Sequence, residues 1–443
     1  MSSHTSELKN QLLKKVDDKT AVVGVVGLGY VGLPLAADFA EEGYRVIGVD
    51  VDPSKVKSVN NGESYIPDTP TPVLREYVKK GLIRASVDYT ALNEADFIFI
   101  AVPTPLSKTR DPNMAYVVSA VDALAPVLRE GQVVSMESTV YPGTTDEVIR
   151  PRLEESGLVA GKDFFLAFSP ERINPGDKVH RPKNTPKVVG GVDPVSTELV
   201  CAIYDRVVAK AVPMSSAKAA EMVKLLENTF RAVNIALVNE LAIMCEMLGI
   251  DVWEVIEGAD SKGFGYMKFL PGPGIGGHCI PIDPLYLSWK MKTLNYNARM
   301  IEVASEINTF MPRHVLKLVS DALNDVRKAV NGSKVLLIGV AYKPDIGDTR
   351  ESPALDVIRL LQEKGAVISY HDPFVPDLSE EGMEIKAVEL TQENLSEADI
   401  VVITTDHSDM NWSLIAEKAR IIVDTRNALA NRDIRPAGKL IKI

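Results

Sequence analysis

Cysteine is scarce in this chain, with three among 443 residues. An odd, sparse set argues against a disulfide framework and predicts a reducing, cytoplasmic setting. The chain has six histidines and neither the CxxC nor the HExxH spacing of zinc sites, so no metal site is predicted. Long apolar runs are also missing, and the segment from Met1 to Thr20 is polar and charged. Neither a membrane span nor a signal peptide is therefore predicted.

The chain also lacks an excess of positively charged over negatively charged residues. The formal net charge is −11 at pH 7, which argues against nucleic acid or an anionic membrane as the main partner. A local basic pocket for an anionic ligand is still compatible with this balance. Because the chain is too long for one ordinary core, two or three domains are expected.

The first pattern that carries chemistry is a glycine turn near the N-terminus. An apolar run, Ala21–Val26, leads into Gly27-Leu-Gly29-Tyr-Val-Gly32, then a helical stretch, then a second apolar run that ends at Asp50. Here Gly27 permits the tight turn, Gly29 lets a pyrophosphate approach and Gly32 permits close helix packing. Asp50 is expected to bind ribose hydroxyls and so to favour NAD over NADP. The alternative is a purely structural turn between strand and helix.

The alternation of strands and helices predicts the fold class. Further strands are expected at Phe97–Val102, Gln132–Glu137, Phe164–Phe168, Lys334–Val340, Ala366–His371, Asp399–Thr404 and Arg420–Val423. The last third repeats the first in outline but lacks the glycine fingerprint. We predict an α/β chain with two Rossmann-like, doubly wound parallel-sheet domains joined by a long central helix.

The central helix is expected from Ser215 to Leu248, where apolar residues recur at helical spacing without Gly or Pro. Such a segment would be about 50 Å long at 1.5 Å per residue, longer than one small domain covers. We therefore expect it to form the core of a homodimer. A further helix near Asn297 to Phe310 is expected to end before Pro312.

A loop rich in glycine and proline, Pro271–Pro284, contains Cys279. The small residues let the backbone bend tightly and approach a ligand. Cys279 stands next to His278 and four residues before Asp283, and a thiolate near a proton acceptor is a nucleophile. Together with a dinucleotide site, this predicts oxidation through a covalent thiohemiacetal. The alternative is a small residue in a tight turn.

Two patterns that contain lysine have both a functional and a purely structural interpretation. Lys224 and Asn228 share one face of the long helix with Arg231, where they could hold a developing oxyanion or form a solvated stripe. Lys343 and Arg350 flank a predicted strand end, where they suit a phosphate-bearing ligand or form a surface salt-bridge cluster.

Glu171 follows a predicted strand in Ser169-Pro-Glu-Arg172, at the edge where Rossmann-type sheets bind ligands. From the residues alone, Glu171 could be a base or could simply pair with Arg172.

Several of these motifs occur together and in order. They are Gly27-x-Gly29-x-x-Gly32, Pro103-Thr104-Pro105, Glu137-Ser-Thr139-Val-Tyr-Pro-Gly143, Ser169-Pro-Glu171-Arg172, Lys224-x-x-x-Asn228, Gly276-Gly-His278-Cys279-Ile-Pro-Ile-Asp283 and Lys343-Pro-Asp followed by Arg350-Glu-Ser-Pro. From about Ala21 to the C-terminus the chain resembles the nucleotide-sugar 6-dehydrogenases of the UDP-glucose/GDP-mannose dehydrogenase superfamily.

The resemblance implies a four-electron oxidation of a sugar 6-hydroxymethyl to a carboxylate. Two NAD would be reduced, and Cys279 would carry the thiohemiacetal and thioester. Lys224 and Asn228 would stabilise the oxyanion, while Glu171 and Asp283 would position water and manage protons. The implied domains are an NAD-binding domain (1–212), a central helical dimerisation domain with the cysteine loop (213–311) and a UDP-sugar-binding domain (312–443).

The resemblance also implies ligand contacts. Catalytic residues are expected at Cys279, Lys224, Asn228, Glu171, Asp283 and Thr139. Cofactor contacts are expected from Gly27, Gly29, Tyr30, Val31, Gly32, Asp50, Lys55, Thr104, Thr139 and Arg350. Substrate contacts are expected from Glu171, Arg172, Lys224, Asn228, Arg231, Phe269, Gly276, His278, Arg299 and Lys343.

The implied sugar is a UDP-N-acetylhexosamine. UDP-glucose dehydrogenases usually have a residue other than histidine before the cysteine and a lysine before Asp283, whereas this chain has His278 and Ile282. Gly347 also departs from the acidic residue common in this family. UDP-N-acetylglucosamine is the expected substrate, with its manno or galacto epimer and UDP-glucose as alternatives. A non-catalytic nucleotide-sugar-binding regulator and a two-electron hydroxyacid dehydrogenase are the alternatives from other classes.

Overall fold

The computed structural model describes residues 3–107, 109–172, 182–277 and 279–443. The chain divides into two compact units, of which the first contains Met1–Glu227 and Trp289–Leu294. The second unit contains Asn228–Ser288 and Asn295–Ile443. The finer division at 212 and 311 stays a prediction. Among the described helices, none combines the length and the apolar character that crossing a membrane requires.

The first unit is built on a mostly parallel sheet. Its described strands are β1 (Val22–Val26), β2 (Arg45–Val49), β3 (Ile83–Ser86), β4 (Phe97–Ile100), β5 (Val133–Met136), β6 (Phe165–Phe168), β7 (Pro186–Gly191) and β8 (Lys210–Pro213). Its helices before the long helix are α1 (Ser3–Asp17), α2 (Gly32–Glu41), α3 (Pro53–Asn60), α4 (Thr71–Lys79), α5 (Ala115–Leu124), α6 (Arg150–Glu154) and α7 (Pro194–Tyr204).

The strand order of this sheet is β3-β2-β1-β4-β5-β6-β7-β8. Neighbouring strands are parallel except at β6 and β7, where Phe168 pairs with Gly190 in antiparallel register. In β1, Val23 pairs with Val46 on one side and with Phe97 on the other. The chain order therefore reverses between β1 and β4, and ligands of such sheets bind outside the carboxyl ends of the strands at this point.

The long helix α8 (Ala217–Leu248) is continuous and begins two residues after the predicted start, Ser215. It contains residues of both compact units, because the boundary falls after Glu227. The following helices are α9 (Val252–Asp260), α10 (Asp283–Thr293) and α11 (Arg299–Asp325).

The predicted helix end before Pro312 is wrong, because α11 runs through this proline. A proline inside a helix costs about 3 kcal/mol, since it removes one hydrogen bond and crowds the preceding turn. Met311, Val315 and Val319 are fully buried on either side of Pro312, and they pack into the core of the second unit. Burying each such side chain contributes about 1.5–3 kcal/mol, which together offsets the cost.

The second unit contains a second parallel sheet. Its strands are β9 (Lys334–Ile338), β10 (Val367–His371), β11 (Ile400–Ile403), β12 (Ile421–Asp424) and β13 (Lys439–Lys442), and its helices are α12 (Pro353–Glu363), α13 (Gln392–Glu397) and α14 (Trp412–Lys418). The strands of this sheet lie in the order β10-β9-β11-β12-β13. This is one of the two strand orders that are common among doubly wound sheets. The predicted fold class, with two doubly wound sheets and a long helix, is confirmed.

One hydrophobic core in this unit joins the central helices to the second sheet. Val238 of α8, Trp253 of α9 and Val315 of α11 belong to the same buried cluster as Leu337 and Val402 of the sheet. The central helices after Glu227 and the C-terminal sheet therefore share their core.

Candidate active site

Four of the predicted residues lie at one edge of the first sheet. Gly27 follows β1, Thr104 comes after β4, Thr139 after β5 and Glu171 after β6. These four strands are neighbours and run parallel, so their carboxyl ends meet at the same edge. Fold topology thus brings together residues that are far apart in sequence.

The glycine turn has three different steric requirements. Gly27 has φ +90°, and a Cβ on it would lie 2.3 Å from a backbone carbonyl oxygen. A Cβ on Gly32 would lie 1.8 Å from the carbonyl oxygen of Gly27, whereas Gly29 has no atom within 4 Å of that position. The turn therefore requires Gly27 and Gly32 for its own packing and leaves open space at Gly29, as a pyrophosphate requires. Tyr30, which is exposed, and Val31 lead into α2.

The acid predicted to bind ribose is buried at the end of β2. The Asp50 carboxylate accepts hydrogen bonds from the backbone N–H groups of Leu28, at 2.8 Å, and Asp52, at 3.0 Å. Lys55 Nζ lies 3.7 Å from Asp50 Oδ2. On the other side of the turn, the Tyr65 hydroxyl donates to the Leu28 carbonyl oxygen at 2.7 Å. These contacts hold the turn in place, and Tyr65 is a contributor that the sequence pattern did not reveal.

The turn that contains Glu171 is held by the long helix. Lys224 is buried, and its Nζ donates to the Glu171 carbonyl oxygen at 2.8 Å. Glu171 Oε1 accepts from the backbone N–H of Arg172 at 2.6 Å. The Arg172 guanidinium forms an ion pair with Glu227 and donates to the Pro186 carbonyl oxygen at 2.9 Å. The Arg172 side chain therefore contacts Glu227 and Pro186, and both interpretations of Glu171 stay predictions.

Two buried charged residues near this turn were not assigned a role from the sequence. Lys187 lies in β7, and Glu137 follows β5. Burial raises the pKa of Glu137 to about 7, with Lys187 opposing the shift. A lysine directly before two valines in a strand-forming run was the available signal, because charged residues are seldom fully buried unless they are paired.

The second unit brings together Asn228, Cys279 and Asp283. Cys279 is exposed, and its carbonyl oxygen accepts from the backbone N–H of Asp283 at 2.8 Å. Asp283 is buried at the start of α10, where its Oδ2 accepts from Asn228 Nδ2 at 2.6 Å. This contact anchors the cysteine loop to the long helix. His278 and the part of the glutamate motif at 173–181 lie outside the described residues.

The glycines of the cysteine loop are required by packing within the protein. A Cβ on Gly276 would lie 2.4 Å from Tyr342 Cβ, and one on Gly277 would lie 2.9 Å from the Tyr342 ring. A Cβ on Gly272 would lie 2.5 Å from Nη1 of Arg426. Arg426, which the sequence pattern did not reveal, thus places a guanidinium against the loop. The small side chains allow the backbone to approach the turns that follow β9 and β12.

Arg350 is connected to the same loop through its backbone. Its carbonyl oxygen accepts from the Gly277 N–H at 3.1 Å. Its guanidinium donates to Asp348 from Nε at 2.9 Å and from Nη2 at 2.6 Å. The Arg350 side chain therefore forms a salt bridge in this structure, and its predicted contact with the cofactor stays a prediction.

The other predicted substrate residues of the second unit differ in their contacts and in the exposure of their side chains. Phe269 packs edge-on against Phe230 of α8, with ring centroids 5.8 Å apart. Arg231 on α8 and Arg299 at the start of α11 are exposed, and Lys343 is half-buried after β9.

One group of described side chains has possible metal-ligand atoms close together. Atoms of His4, Glu130 and Asp163 lie within 4.8 Å of one another. His4 and Glu130 are exposed and form an ion pair with each other, so their proximity is explained without an ion.

Family models match most of the described fold. The NAD binding domain of the UDP-glucose/GDP-mannose dehydrogenase family matches residues 21–208, the central domain 218–310 and the UDP binding domain 336–431. The chain belongs to the UDP-glucose/GDP-mannose dehydrogenase family. It is an oxidoreductase, an NAD-dependent UDP-sugar dehydrogenase, and its two Rossmann-like sheets correspond to the NAD-binding and UDP-binding domains of the family.

Relatives of this family member differ in the sugar that they are named for. The chain is 35% identical over 432 residues to a UDP-N-acetyl-D-mannosamine dehydrogenase of Methanococcus maripaludis (strain C7), covering 95% of this chain and 96% of the relative. It is 37% identical over 359 residues to a UDP-N-acetyl-D-glucosamine 6-dehydrogenase of Pseudomonas aeruginosa, covering 81% and 84%. The solved UDP-D-ManNAc dehydrogenase of Pyrococcus horikoshii superimposes with a TM-score of 0.87 at 33% identity, covering 95% and 99%.

Proposed function

We propose that this dehydrogenase oxidises the C6 hydroxymethyl of a UDP-N-acetylhexosamine to the carboxylate through a covalent adduct on Cys279. The observation that carries the proposal is the exposed Cys279, fixed by a packed glycine loop beside the Asn228–Asp283 hydrogen bond. An exposed thiol on a rigid loop, in a chain with few cysteines, is suited to nucleophilic attack. Structural cysteines, in contrast, are usually buried.

The proposed reaction has two oxidation steps and one hydrolysis. Loss of a hydride and a proton from the C6 alcohol gives an aldehyde, and the Cys279 sulfur adds to its carbon to form a thiohemiacetal. Loss of a second hydride, together with the proton of the thiohemiacetal hydroxyl, gives a thioester, which water cleaves to the carboxylate and the thiol. NAD, when bound at the glycine turn, accepts one hydride at each oxidation, so two molecules are reduced per sugar.

The chain's own residues divide the remaining work. The Lys224 ammonium and the Asn228 amide, one helical turn apart on α8, stabilise negative charge on the C6 oxygen. Glu171 and Asp283 position water and accept the released protons. Thr104 and Thr139, at the carboxyl edge of the first sheet, line the nicotinamide side of the site.

UDP-N-acetylglucosamine is the substrate we propose first. The segments around Glu171-Arg172 and from Lys224 to Arg231 resemble the branch of the family that acts on this sugar. UDP-N-acetylmannosamine is the second candidate, because the Methanococcus and Pyrococcus proteins that cover nearly the whole chain are named for it.

A substrate panel tests the proposal. The enzyme is mixed with NAD and, separately, UDP-N-acetylglucosamine, its manno and galacto epimers, and UDP-glucose, and NADH is followed by absorbance. We expect the highest kcat/KM with UDP-N-acetylglucosamine and two NADH per sugar consumed. One NADH per sugar would contradict the four-electron reaction, and no NADH with any of these sugars would contradict the proposed substrate class.

Asp50→Ala is expected to weaken NAD binding and to relax discrimination against NADP. The substitution removes a partner for the ribose hydroxyls and the charge that repels a 2′-phosphate. It also leaves the Lys55 ammonium, 3.7 Å from the carboxylate, available to attract that phosphate. Affinities for both cofactors measured by fluorescence titration check this prediction.

A matched control separates charge from turn geometry. Asp50→Asn retains an oxygen that can accept from the Leu28 N–H but removes the charge. It should therefore relax the discrimination against NADP, with a smaller loss of NAD affinity than Asp50→Ala. Unchanged NAD affinity and an unchanged NAD/NADP ratio in both variants would show that Asp50 is not the ribose ligand.

The exposed apolar face of the second unit is expected to form a homodimer interface. Large apolar side chains that are at least 44% exposed are Phe230, Leu237, Met244, Met247 and Leu248 on α8, and Met300, Val303 and Phe310 on α11. Monomeric proteins rarely expose so many neighbouring apolar side chains, and a two-fold pairing would bury them. Light scattering should give twice the mass of one chain, and Leu237→Glu should shift the population toward monomer. A stable monomer at micromolar concentration would refute the interface.

A further inference from the structure

Lys187 is a buried cation next to the turn that contains Glu171. It is 5% exposed, and its Nζ lies 2.8 Å from Glu137 Oε2 and 3.6 Å from Glu171 Oε2. The same ammonium lies 4.9 Å from the centre of the Tyr204 ring. Taking an ammonium out of water costs several kcal/mol, so a fully buried lysine needs compensating partners. Here two carboxylates share one cation.

Lys187 also holds the backbone of the turn. Its Nζ donates to the Pro170 carbonyl oxygen at 3.1 Å, while Lys224 Nζ donates to the next carbonyl oxygen, that of Glu171, at 2.8 Å. Two ammonium groups from different elements, β7 and α8, therefore hold consecutive carbonyl groups of this turn. Such double anchoring restricts where the Glu171 side chain can point.

The electrostatic balance of this cluster is poised near neutral pH. Burial alone would favour a neutral amine, but Glu137 and Glu171 raise the pKa of Lys187 above its usual value, so it stays charged. Burial raises the pKa of Glu137 to about 7. When Glu137 takes up a proton, Glu171 remains as the other carboxylate beside the Lys187 ammonium, at 3.6 Å.

The other described charged and titratable groups around the cluster come from three helices and a loop. Burial, followed by the Glu171 charge, raises the pKa of Asp38 on α2 to about 7, with Lys183 opposing. Burial raises the pKa of Tyr204 on α7 well above its usual value, so its hydroxyl is neutral. Lys224 on α8 contacts the backbone of Glu171. Lys187 is therefore the described cation that reaches the Glu171 carboxylate from within the sheet.

We propose that Lys187 is a positioning residue that holds Glu171 in place, and that Glu137 competes with Glu171 for the Lys187 ammonium. This inference rests on the proposed role of Glu171 in managing water and protons. Lys187 itself is too deeply buried to touch the sugar or the nicotinamide, so its effect passes through Glu171.

Two substitutions should move the pH profile in opposite directions. Lys187→Met removes the positive charge at similar side-chain length, and with it the charge that opposes the raised pKa of Glu137. The acidic limb of the kcat profile should move up by about one pH unit. Glu137→Gln removes the competing carboxylate and leaves an oxygen for Lys187, so the acidic limb should move to lower pH. KM values for UDP-sugar and NAD should stay within about twofold, because neither side chain reaches a ligand.

Controls keep the test decisive. Lys187→Arg should restore a near-wild-type profile, and Lys162→Met, at an exposed lysine of the same unit, should leave the profile unchanged. Lys187→Met is expected to fold, since the raised pKa of Glu137 lets it become neutral. If Lys187→Met does not fold, the pH profile of the Glu137→Gln variant by itself tests the inference. The inference would be overturned if the acidic limbs of the Lys187→Met and Glu137→Gln profiles moved in the same direction. Lower activity without any movement of the limb would overturn it as well.

A further variant separates this inference from the proposed function. Glu171→Gln should abolish turnover to the acid. An active wild type, an inactive Glu171→Gln and unmoved profiles in the Lys187 and Glu137 variants would reject only the positioning role. An active wild type with a fully active Glu171→Gln would instead reject the proposed role of Glu171, and the positioning role with it.

Discussion

Cys279→Ser is expected to abolish net formation of the uronic acid. A hydroxyl is a far poorer nucleophile than a thiolate at neutral pH, and in the proposed reaction the second oxidation depends on the covalent adduct. Each tenfold loss of rate corresponds to about 1.4 kcal/mol of barrier. NADH and product acid are measured together, so that any aldehyde released after the first oxidation is also detected. A variant that retained more than about a tenth of the wild-type rate would contradict the covalent role.

The other two cysteines supply the control for this experiment. Burial raises the pKa of the Cys201 thiol to about 11, so it stays protonated at neutral pH, and Cys245 is buried. Cys201→Ser should therefore keep the wild-type rate. Iodoacetamide should label Cys279 first, and inactivation should follow that labelling. Full activity after complete labelling of Cys279 would favour a two-electron dehydrogenase that needs no nucleophilic cysteine.

Lys224→Ala should lower kcat much more than it raises KM for the UDP-sugar. The reactant is a neutral alcohol, and negative charge develops on oxygen only as the hydride leaves or as water attacks the thioester. A preorganised cation is therefore worth more in the transition state than in the ground state. Losing one such donor typically costs about 100-fold to 1,000-fold in rate. Steady-state kinetics with the preferred sugar give both constants.

A competing interpretation has Lys224 binding the phosphates of the UDP-sugar, where it would stabilise ground and transition states alike. In that case kcat would be unchanged and KM would rise strongly, which would remove Lys224 from the catalytic residues. The matched control is Lys218→Ala, because Lys218 lies on the same helix but is exposed and pairs with Glu147 at 3.6 Å. It should leave both constants near the wild-type values.

The sequence predicted those parts of the fold that depend on local pattern. Strands of a sheet buried on both faces are continuous apolar runs, so β1, β4 and β9 were found within a few residues of their ends. The glycine turn and Asp50 were recognisable because their spacing reflects one contiguous unit of strand, turn and helix. The long helix followed from apolar periodicity without a breaking residue.

The parts that were missed depend on contacts between residues distant in sequence. Pro312 is tolerated inside α11 because the surrounding side chains are buried, which a local rule cannot detect. Lys187 lies close to Glu137 and the Glu171 turn only because β7 places it there. Likewise, Gly276 and Gly277 are required by Tyr342, which lies more than sixty residues further along the chain.

The close packing of the cysteine loop limits how this chain can be shortened. A truncated protein that ended after α11 would still contain Cys279, yet it would lack Tyr342 and Arg426, against which the loop glycines pack. Met311 and Val315 would also lose the sheet that covers them and would become exposed apolar surface, which promotes aggregation. Although the family divides into three consecutive sequence segments, the segment with the cysteine loop therefore depends on the last one for its shape and its solubility.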